Sequence, residues 1–246
     1  PTNVDARMPR FCFDDLPALA TQASLGVVGA APVSHSVVYG YDDVRSIDYF
    51  NETLAGLWTR TYASIEAAMS AAYAERGAML ARSEAHDAAL MAALAGNGRG
   101  EKYAQLCALS YRQTLAATKL VWNSKRGTTW NFLKEISTNG DMSTMDVIFP
   151  ASPMLLYTNA TLLQLLLIPV LEYAANKTYV RFTDAYSPHQ LGTYPIGDST
   201  TAQQENMPLE NSGNMLFMLL GIVRAQTKTG TGDVSWIAPY FPMLTA

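Results

Sequence analysis

Three observations predict a mainly α fold whose polar crossings carry the chemistry. Apolar residues recur at helical spacing along most of the chain after residue 45. Glycine and proline clusters punctuate that pattern every helix or two. The stretch from Lys134 to Met215 gathers carboxylates, amides, tyrosines and a histidine into segments too rich in Gly and Pro to be plain helix. Irregular segments held by a rigid scaffold are where sites tend to lie.

Composition supports a large buried fraction. Of 246 residues, 49% are hydrophobic and only 15% are charged, which argues against disorder and suffices for one sizeable core or two small ones. A net charge of −4 without any Lys/Arg cluster gives no electrostatic case for nucleic acid or an anionic membrane. The most apolar window, Met154 to Ala174, is broken by Asn159, Gln164, Pro169 and Glu172. A membrane span needs about 20 mostly apolar residues, so a buried helix is expected instead. No charged region followed by an apolar one opens the chain, as in a processed or internal sequence. Cys107 lies in the helical YAQLCALSY and is read as a buried free thiol rather than the partner of Cys12.

Residues 1–45 are mixed. The pieces 26–31 and 36–41 have strand character around Pro32, as in the tail of an upstream β domain or a linker. From Ser46 the positions Ile47, Phe50, Leu54, Leu57, Trp58, Tyr62, Ile65 and Met69 predict a helix through Tyr73, interrupted or ended by Gly77. Met79 to Leu94 predicts a second, closed by the glycines at 96, 98 and 100. Glu101 to Leu120 predicts a third, and 122–132 a hairpin or crossing loop. Asn159 is placed to cap a helix over 160–175, apolar nearly all round and kinked or broken at Pro169. Asn211 and Ser212 are expected to cap a helix through Ala225, and Asp233 opens one more. No short-period repeat points to a solenoid.

The chain holds no HExxH, P-loop, GxSxG, CxxC or SxxK. Lys228-Thr229-Gly230 matches the KTG tripeptide but lacks its SxxK partner, which makes the match accidental. Only His35, His86 and His189 are present, which argues against a multi-histidine metal site, and no cofactor is expected. Carboxylate chemistry remains, with Glu135, Asp141, Asp146, Asp184, Asp198, Glu205 and Glu210 as candidates. Their neighbours are Asn139, Tyr186, His189 and Tyr194. Two carboxylates facing one pocket can divide acid and base roles when their surroundings push their pKa values apart. Glu210 stands before a predicted helix N-terminus, where the ionised form is favoured; this suits a general base and equally a carboxylate that complements the dipole. Asp146 follows Ser143 in an S-x-x-D pattern resembling a capping box, yet Pro150 and Pro153 argue for a loop. His189, in a Gly/Pro-bounded loop, is read as lining a site. Three sequons, at Asn51, Asn159 and Asn176, are candidate glycosylation positions, in a number near that expected by chance.

Five blocks carry a resemblance: YDDVRSIDYFNE (41–52), GEKYAQLCALSYRQ (100–113), KEISTNGDMSTMDVIFPASP (134–153), SPHQLGTYPI (187–196) and ENMPLENSGNM (205–215). In this order they resemble the fungal secreted glutaminase A family, from about residue 36 to the end. The resemblance implies a partial (α/α) six-hairpin toroid, glycosidase-like, over residues 36–246, with 1–35 a linker or the tail of an upstream β-rich domain. It also implies secretion and hydrolysis of L-glutamine to glutamate and ammonia. A shorter family motif resembling D-M-P-V-E-x-x-G-N-M maps its glutamate onto Glu210 and its asparagine onto Asn214, and an S-T-x-D-V block maps onto Asp146. On this reading Glu210 and Asp146 are catalytic, and His189, Tyr194, Asn139, Asn214 and Glu205 bind a small-molecule substrate. A glycoside hydrolase on the same fold, acting on a sugar, and a non-catalytic fragment with a binding role are the alternatives.

Overall fold

Where helical spacing predicts a helix from Ser46, the chain folds into a β-hairpin. In the computed structural model, which describes residues 6–7, 10–11, 13–14, 16, 18, 20–96, 98–135, 139–176, 186–198, 207–230 and 232–245, strands β1 (Ile47–Tyr49) and β2 (Glu52–Gly56) pair antiparallel with Tyr49 opposite Glu52. Phe50 and Asn51 between them have φ of 46° and 62°. Two successive left-handed residues match the twist of a two-residue hairpin and are incompatible with a right-handed helix. The Phe50 amide donates to Asp198 Oδ2 at 2.8 Å, which fixes the turn from outside the hairpin.

A short 3₁₀ turn (Leu57–Arg60) leads to α1 (Ile65–Ala95), whose cap is Ser64 Oγ accepting from the Ala67 amide at 3.2 Å. The two helices expected on either side of Gly77 are one. A single helical glycine costs about 1 kcal/mol relative to alanine, and the Ala-rich flanks offset it. α2 (Glu101–Ala116) pairs with α1. It ends four residues before the predicted Leu120, because the β-branched and aromatic run from Thr118 enters a sheet. β3 (Thr118–Asn123) and β4 (Thr128–Leu133) form the hairpin expected near 122–132, closed by Asn123 opposite Thr128. The four strands lie in the order β1-β2-β3-β4, all antiparallel.

β5 (Asp141–Met142) leads into α3 (Met145–Thr158), which contains both Pro150 and Pro153. Asp146 is therefore a first-turn helix residue and not a loop carboxylate. Ser152 Oγ donates to the Phe149 carbonyl at 2.7 Å, which is the acceptor that Pro153, lacking an N–H, cannot serve. Asn159 ends α3 and caps α4 (Ala160–Ala175) as predicted, accepting from the Thr161 amide at 3.1 Å. α4 runs through Pro169 without ending. β6 (Gly192–Thr193) pairs with β5. α5 (Pro208–Lys228) begins one turn earlier than predicted, since Pro208 at its first position is already pre-set for helical φ. A 3₁₀ segment (Ser235–Tyr240), opened by Asp233 Oδ1 accepting from the Ser235 amide, continues into α6 (Phe241–Leu244).

α4 is the centre of the core. Its Leu163, Leu166, Leu167, Val170, Leu171 and Tyr173 are fully buried against the sheet, α3 and α5. Each such side chain contributes roughly 1.5–3 kcal/mol on burial. From the sheet come Tyr49, Trp130 and Phe132, packed edge to face around Tyr49 with centroids 5.3 and 5.8 Å away. The Tyr49 hydroxyl donates to the Pro169 carbonyl at 2.6 Å and so ties β1 to α4. Met145 and Ile148 of α3 and Met218 and Ile222 of α5 complete this cluster. None of the described helices is long and apolar enough to cross a membrane.

Contacts divide the chain into two units, Pro1–Tyr39 and Gly40–Ala246, and all elements named above belong to the second. The described residues of the first contain neither helix nor strand, so the strand character read at 26–31 and 36–41 is not realised. A strand needs a neighbour to fill its hydrogen bonds. Here Val27 is fully exposed and Gly26 turns the chain at φ 67°.

Candidate functional site

The site grows from a crossing of two short segments. β5 pairs with β6, and beyond that ladder the Leu191 amide donates to the Met142 carbonyl at 2.9 Å, and the Met145 amide to the His189 carbonyl at 2.7 Å. Ser143, at φ 51°, bends the chain between β5 and α3, and its amide donates to Leu133 on the other side at 2.7 Å. Met142 and Met145 are fully buried, so the crossing is anchored in the core. It sets His189 against the first turn of α3, with Nε2 3.4 Å from Asp146 Oδ1. The separation is long for a hydrogen bond and short enough for an ion pair when the imidazole is charged. The Asp146 carboxylate also sits where the helix dipole favours negative charge. His189 is the more enclosed of the two, with 12% of its side chain exposed against 34% for Asp146. Thr144, before the helix, donates its hydroxyl to Glu135 Oε2 at 3.2 Å, which brings a second carboxylate to the same helix end.

The other predicted residues fall in different surroundings. Glu210 lies in the first turn of α5 rather than before it, exposed, and no hydrogen bond or ion pair joins it to Asp146 or His189 among the described residues. Asn214, one turn further, is buried, and α5 packs against α3. Ser212 Oγ accepts from the Ser187 amide at 3.0 Å, tying the segment that carries His189 to this helix. Asn139 is exposed and exchanges bonds with Asp141: its Nδ2 donates to Oδ2 at 2.7 Å, and its Oδ1 accepts from the Asp141 amide at 3.0 Å. Asp141 also accepts from Thr193 Oγ1 at 3.2 Å, so this group secures the β5–β6 ladder.

Tyr194 serves the sheet edge. Its hydroxyl donates to Asp43 Oδ2 at 3.1 Å, the oxygen that also meets Lys119 Nζ at 2.5 Å, and Lys134 Nζ lies 4.4 Å from its ring centroid. Burial and the Asp43 carboxylate push the Tyr194 phenol up to about 12. Burial also pushes Asp43 up, but Lys119, Ser46 and Tyr194 outweigh it and hold that carboxyl below its usual value. Asp198 is occupied by the Phe50 amide. Glu205 and Asp184 lie outside the described residues. Of the sequons, Asn51 is exposed on the β1–β2 turn, Asn159 is exposed but engaged as a cap, and Asn176 is half-buried. Cys107 is a free, half-buried thiol.

Two features were not read from the sequence. A cavity of about 700 Å³ opens between α2, the end of β4 and α3, with Gln113, Lys134, Glu135 and Val147 in its wall. Glu135 stood among the candidate carboxylates in the sequence, whereas Lys134 was legible only as the start of a polar block and the cavity itself was not legible at all. The second is Glu172, read as a break in an apolar window. It accepts from the Tyr240 hydroxyl at 2.5 Å and meets Arg126 Nη1 at 2.9 Å, joining α4 to the β3–β4 turn and to the segment before α6. No group of three or more His, Cys, Asp or Glu side chains placed to hold a metal occurs among the described residues.

Residues 100–246 match the glutaminase A six helical-hairpin domain, and residues 2–93 match a domain of unknown function, DUF5127. The boundary between the two matches falls at the turn from α1 to α2. A glutaminase A of Aspergillus oryzae is 37% identical over 152 residues, which is 59% of this chain and 20% of that protein. A probable glutaminase of Arthroderma benhamiae is 39% identical over 163 residues, 64% of this chain and 17% of that protein. The chain thus spans about a fifth of the length of these relatives. No solved structure matches it. With the hairpin-domain match covering more than half of its length, the chain belongs to the glutaminase A six-hairpin family.

Proposed function

We propose that this chain carries part of the reaction centre of a secreted amidohydrolase that converts L-glutamine to L-glutamate and ammonia. The observation that carries the reading is the placement of His189 Nε2 3.4 Å from Asp146 Oδ1 at a crossing locked by backbone hydrogen bonds. In the reaction water adds to the carboxamide carbon, a C–O bond forms, the C–N bond breaks, and the nitrogen must receive a proton to leave as ammonia. Asp146 accepts from Nε2–H of His189 and stabilises it as an imidazolium, and the Nδ1–H on the opposite edge of the ring gives its proton to the substrate nitrogen as the C–N bond breaks. Glu210, in the first turn of α5, takes the proton from water and passes it back to His189 through solvent to close the cycle. Asn214, Tyr194, Asn139 and Glu205 stand as further substrate contacts, with Asn214 favoured by its burial one turn beyond Glu210. Asn51, exposed on a turn rather than engaged as a helix cap, is the sequon proposed to carry a glycan.

The test is ammonia release from L-glutamine by the wild-type chain and by Asp146→Asn, His189→Gln and Glu210→Gln, each checked for fold by circular dichroism. Loss of a positioned acid or base lowers kcat/KM by about 100-fold or more. An Asp146→Asn variant that releases ammonia at the wild-type rate sinks the assignment, as does sugar release from oligosaccharides in place of ammonia.

A further inference from the structure

The cavity of about 700 Å³ between α2, the end of β4 and α3 contains a single carboxylate in its described wall, that of Glu135. Gln113 and Pro150 of the wall are exposed, and Ala117 and Leu133 are buried, so the cavity runs from the surface inward and a solute can enter it. Between these, Val147 and Ala151 give an apolar side, and Glu135 is half-buried against it. Thr144, 2% exposed, donates its hydroxyl to Glu135 Oε2 at 3.2 Å and ties that carboxylate to the start of α3. Lys134 also borders the cavity, but its Nζ lies 4.4 Å from the centroid of the Tyr194 ring, which is no part of the wall. Successive residues of an extended chain send their side chains to opposite faces, which separates the Lys134 charge from Glu135.

Helix geometry places the cavity beside the Asp146–His189 pair. Side chains four residues apart stand on one helix face, one turn from each other. Val147 and Ala151 are so related along the wall, and so are Asp146 and Pro150, with Pro150 at the exposed rim. Asp146, partly exposed, therefore stands at the edge of the mouth. In the proposed reaction Asp146 serves His189 and Glu210 serves water, and neither answers the positive charge that L-glutamine carries on its α-nitrogen. An ammonium that leaves water for a partly apolar cavity needs an opposite charge to offset its desolvation. A carboxylate there supplies it through a charge-assisted hydrogen bond. We propose that this cavity binds the α-ammonium of L-glutamine, with Glu135 as its counter-charge and the carboxamide turned toward Asp146 and His189 at the mouth. The site rests on the amidohydrolase reading for its substrate. Glu135 holds the ammonium and exchanges no proton with it, so it selects α-amino acids over amides that lack the α-nitrogen.

Glu135→Gln removes the charge while keeping the volume and an acceptor for Thr144. KM for L-glutamine should rise about tenfold or more, the effect of losing a charge-assisted hydrogen bond, with kcat within about threefold of wild type. The comparison substrate is glutaramate, which is L-glutamine with hydrogen in place of the α-ammonium. Its KM with wild type should exceed that of L-glutamine by about tenfold or more, and Glu135→Gln should leave it within about twofold. A KM for L-glutamine within about twofold of wild type in Glu135→Gln overturns the assignment. So does an equal loss on both substrates, which marks a structural role for the bond to Thr144. If the wild-type chain releases no ammonia, the amidohydrolase reading fails separately. The cavity is then decided by calorimetric titration of the unaltered chain and of Glu135→Gln with L-glutamine and with glutaramate. Binding of L-glutamine alone, lost in Glu135→Gln, upholds the ammonium site, and any other result ends it.

Discussion

A glycine in α5 sets how closely the helix of Glu210 approaches that of Asp146. A β-carbon added at Gly221 would stand 2.8 Å from Leu156 Cδ1 and 3.4 Å from Cδ2 on α3. Carbon atoms pack best about 3.5–4.0 Å apart, so an alanine there intrudes by roughly 0.7 Å on the tip of one side chain. Leu156 is half-buried and can turn aside. The strain is set against the helix-propensity gain of about 1 kcal/mol on replacing glycine. Gly221→Ala should therefore unfold within about 1 kcal/mol of wild type. Gly221→Val adds two methyls at the same point, which the tip of Leu156 cannot clear, and overpacking of this kind costs about 1–3 kcal/mol. For a unit of this size that lowers the melting temperature by roughly 3–10 °C. The assay is thermal unfolding by circular dichroism, with ammonia release measured below the transition. The valine variant should lose activity beyond its loss of folded protein, because α5 carrying Glu210 and Asn214 is levered away from α3. A valine variant that melts with wild type would refute the claim that the α3–α5 contact is tight at Gly221.

Two more outcomes follow from polar clusters away from the crossing. The Asp43–Tyr194 contact makes stability depend on pH at both ends. The Tyr194 phenol is raised from 10.0 to about 12, so its contribution is complete below pH 10 and is lost as pH rises toward 12. The Asp43 carboxyl is held below 3.8, so its contribution is present above that value and disappears as pH falls further. Tyr194→Phe should remove one part of the alkaline limb, to which the raised phenols of Tyr49 and Tyr240 also contribute, and shrink the acid one, read from urea midpoints measured across pH; an unchanged alkaline limb would exclude the contact. Glu172→Gln should cost about 1–3 kcal/mol by weakening bonds to Arg126 and to the buried Tyr240. Urea unfolding of the single variants and of Glu172→Gln with Tyr240→Phe would show this coupling as non-additivity, and additive losses would disprove it.

Strong local signals in the sequence survived folding, and weak ones were overridden by distant partners. The helix over 160–175 is so apolar, and so well capped by Asn159, that its extent was legible to the residue. The 122–132 segment was legible as a hairpin or a crossing loop around Gly127, but the start of its first strand at Thr118 was hidden inside the predicted helix. The β1–β2 hairpin was not legible, because Ile47, Phe50 and Leu54 fit a helical period equally well and Phe50-Asn51 lacks the glycine that usually marks such a turn. Its conformation is fixed by Asp198 and by packing against Tyr173, far along the chain. Gly77 and the prolines of α3 misled for the opposite reason: each carries a local penalty that the surrounding helix absorbs. Asp146 and His189 were both legible as candidates, but their meeting was not. It depends on two strands of two residues each, too short to leave a periodic signature.

The architecture separates two kinds of carboxylate. Asp146 follows Met145, which is fully buried and hydrogen-bonded through its backbone to His189, so the Asp146–His189 distance is fixed by the core itself. Glu210 follows Pro208 and Leu209 at the exposed start of α5, and its approach to the pair is governed by helix packing further along, at Gly221 and Leu156. A group that only orients a neighbour gains from rigid attachment. A group that activates water gains from solvent access and from a helix terminus that keeps it ionised. The proposed division of labour follows from where each residue is anchored. It requires Glu210→Gln to respond to changes at Gly221, while Asp146→Asn should not: combined with Gly221→Val, the Glu210 variant should be non-additive in kcat/KM and the Asp146 variant additive.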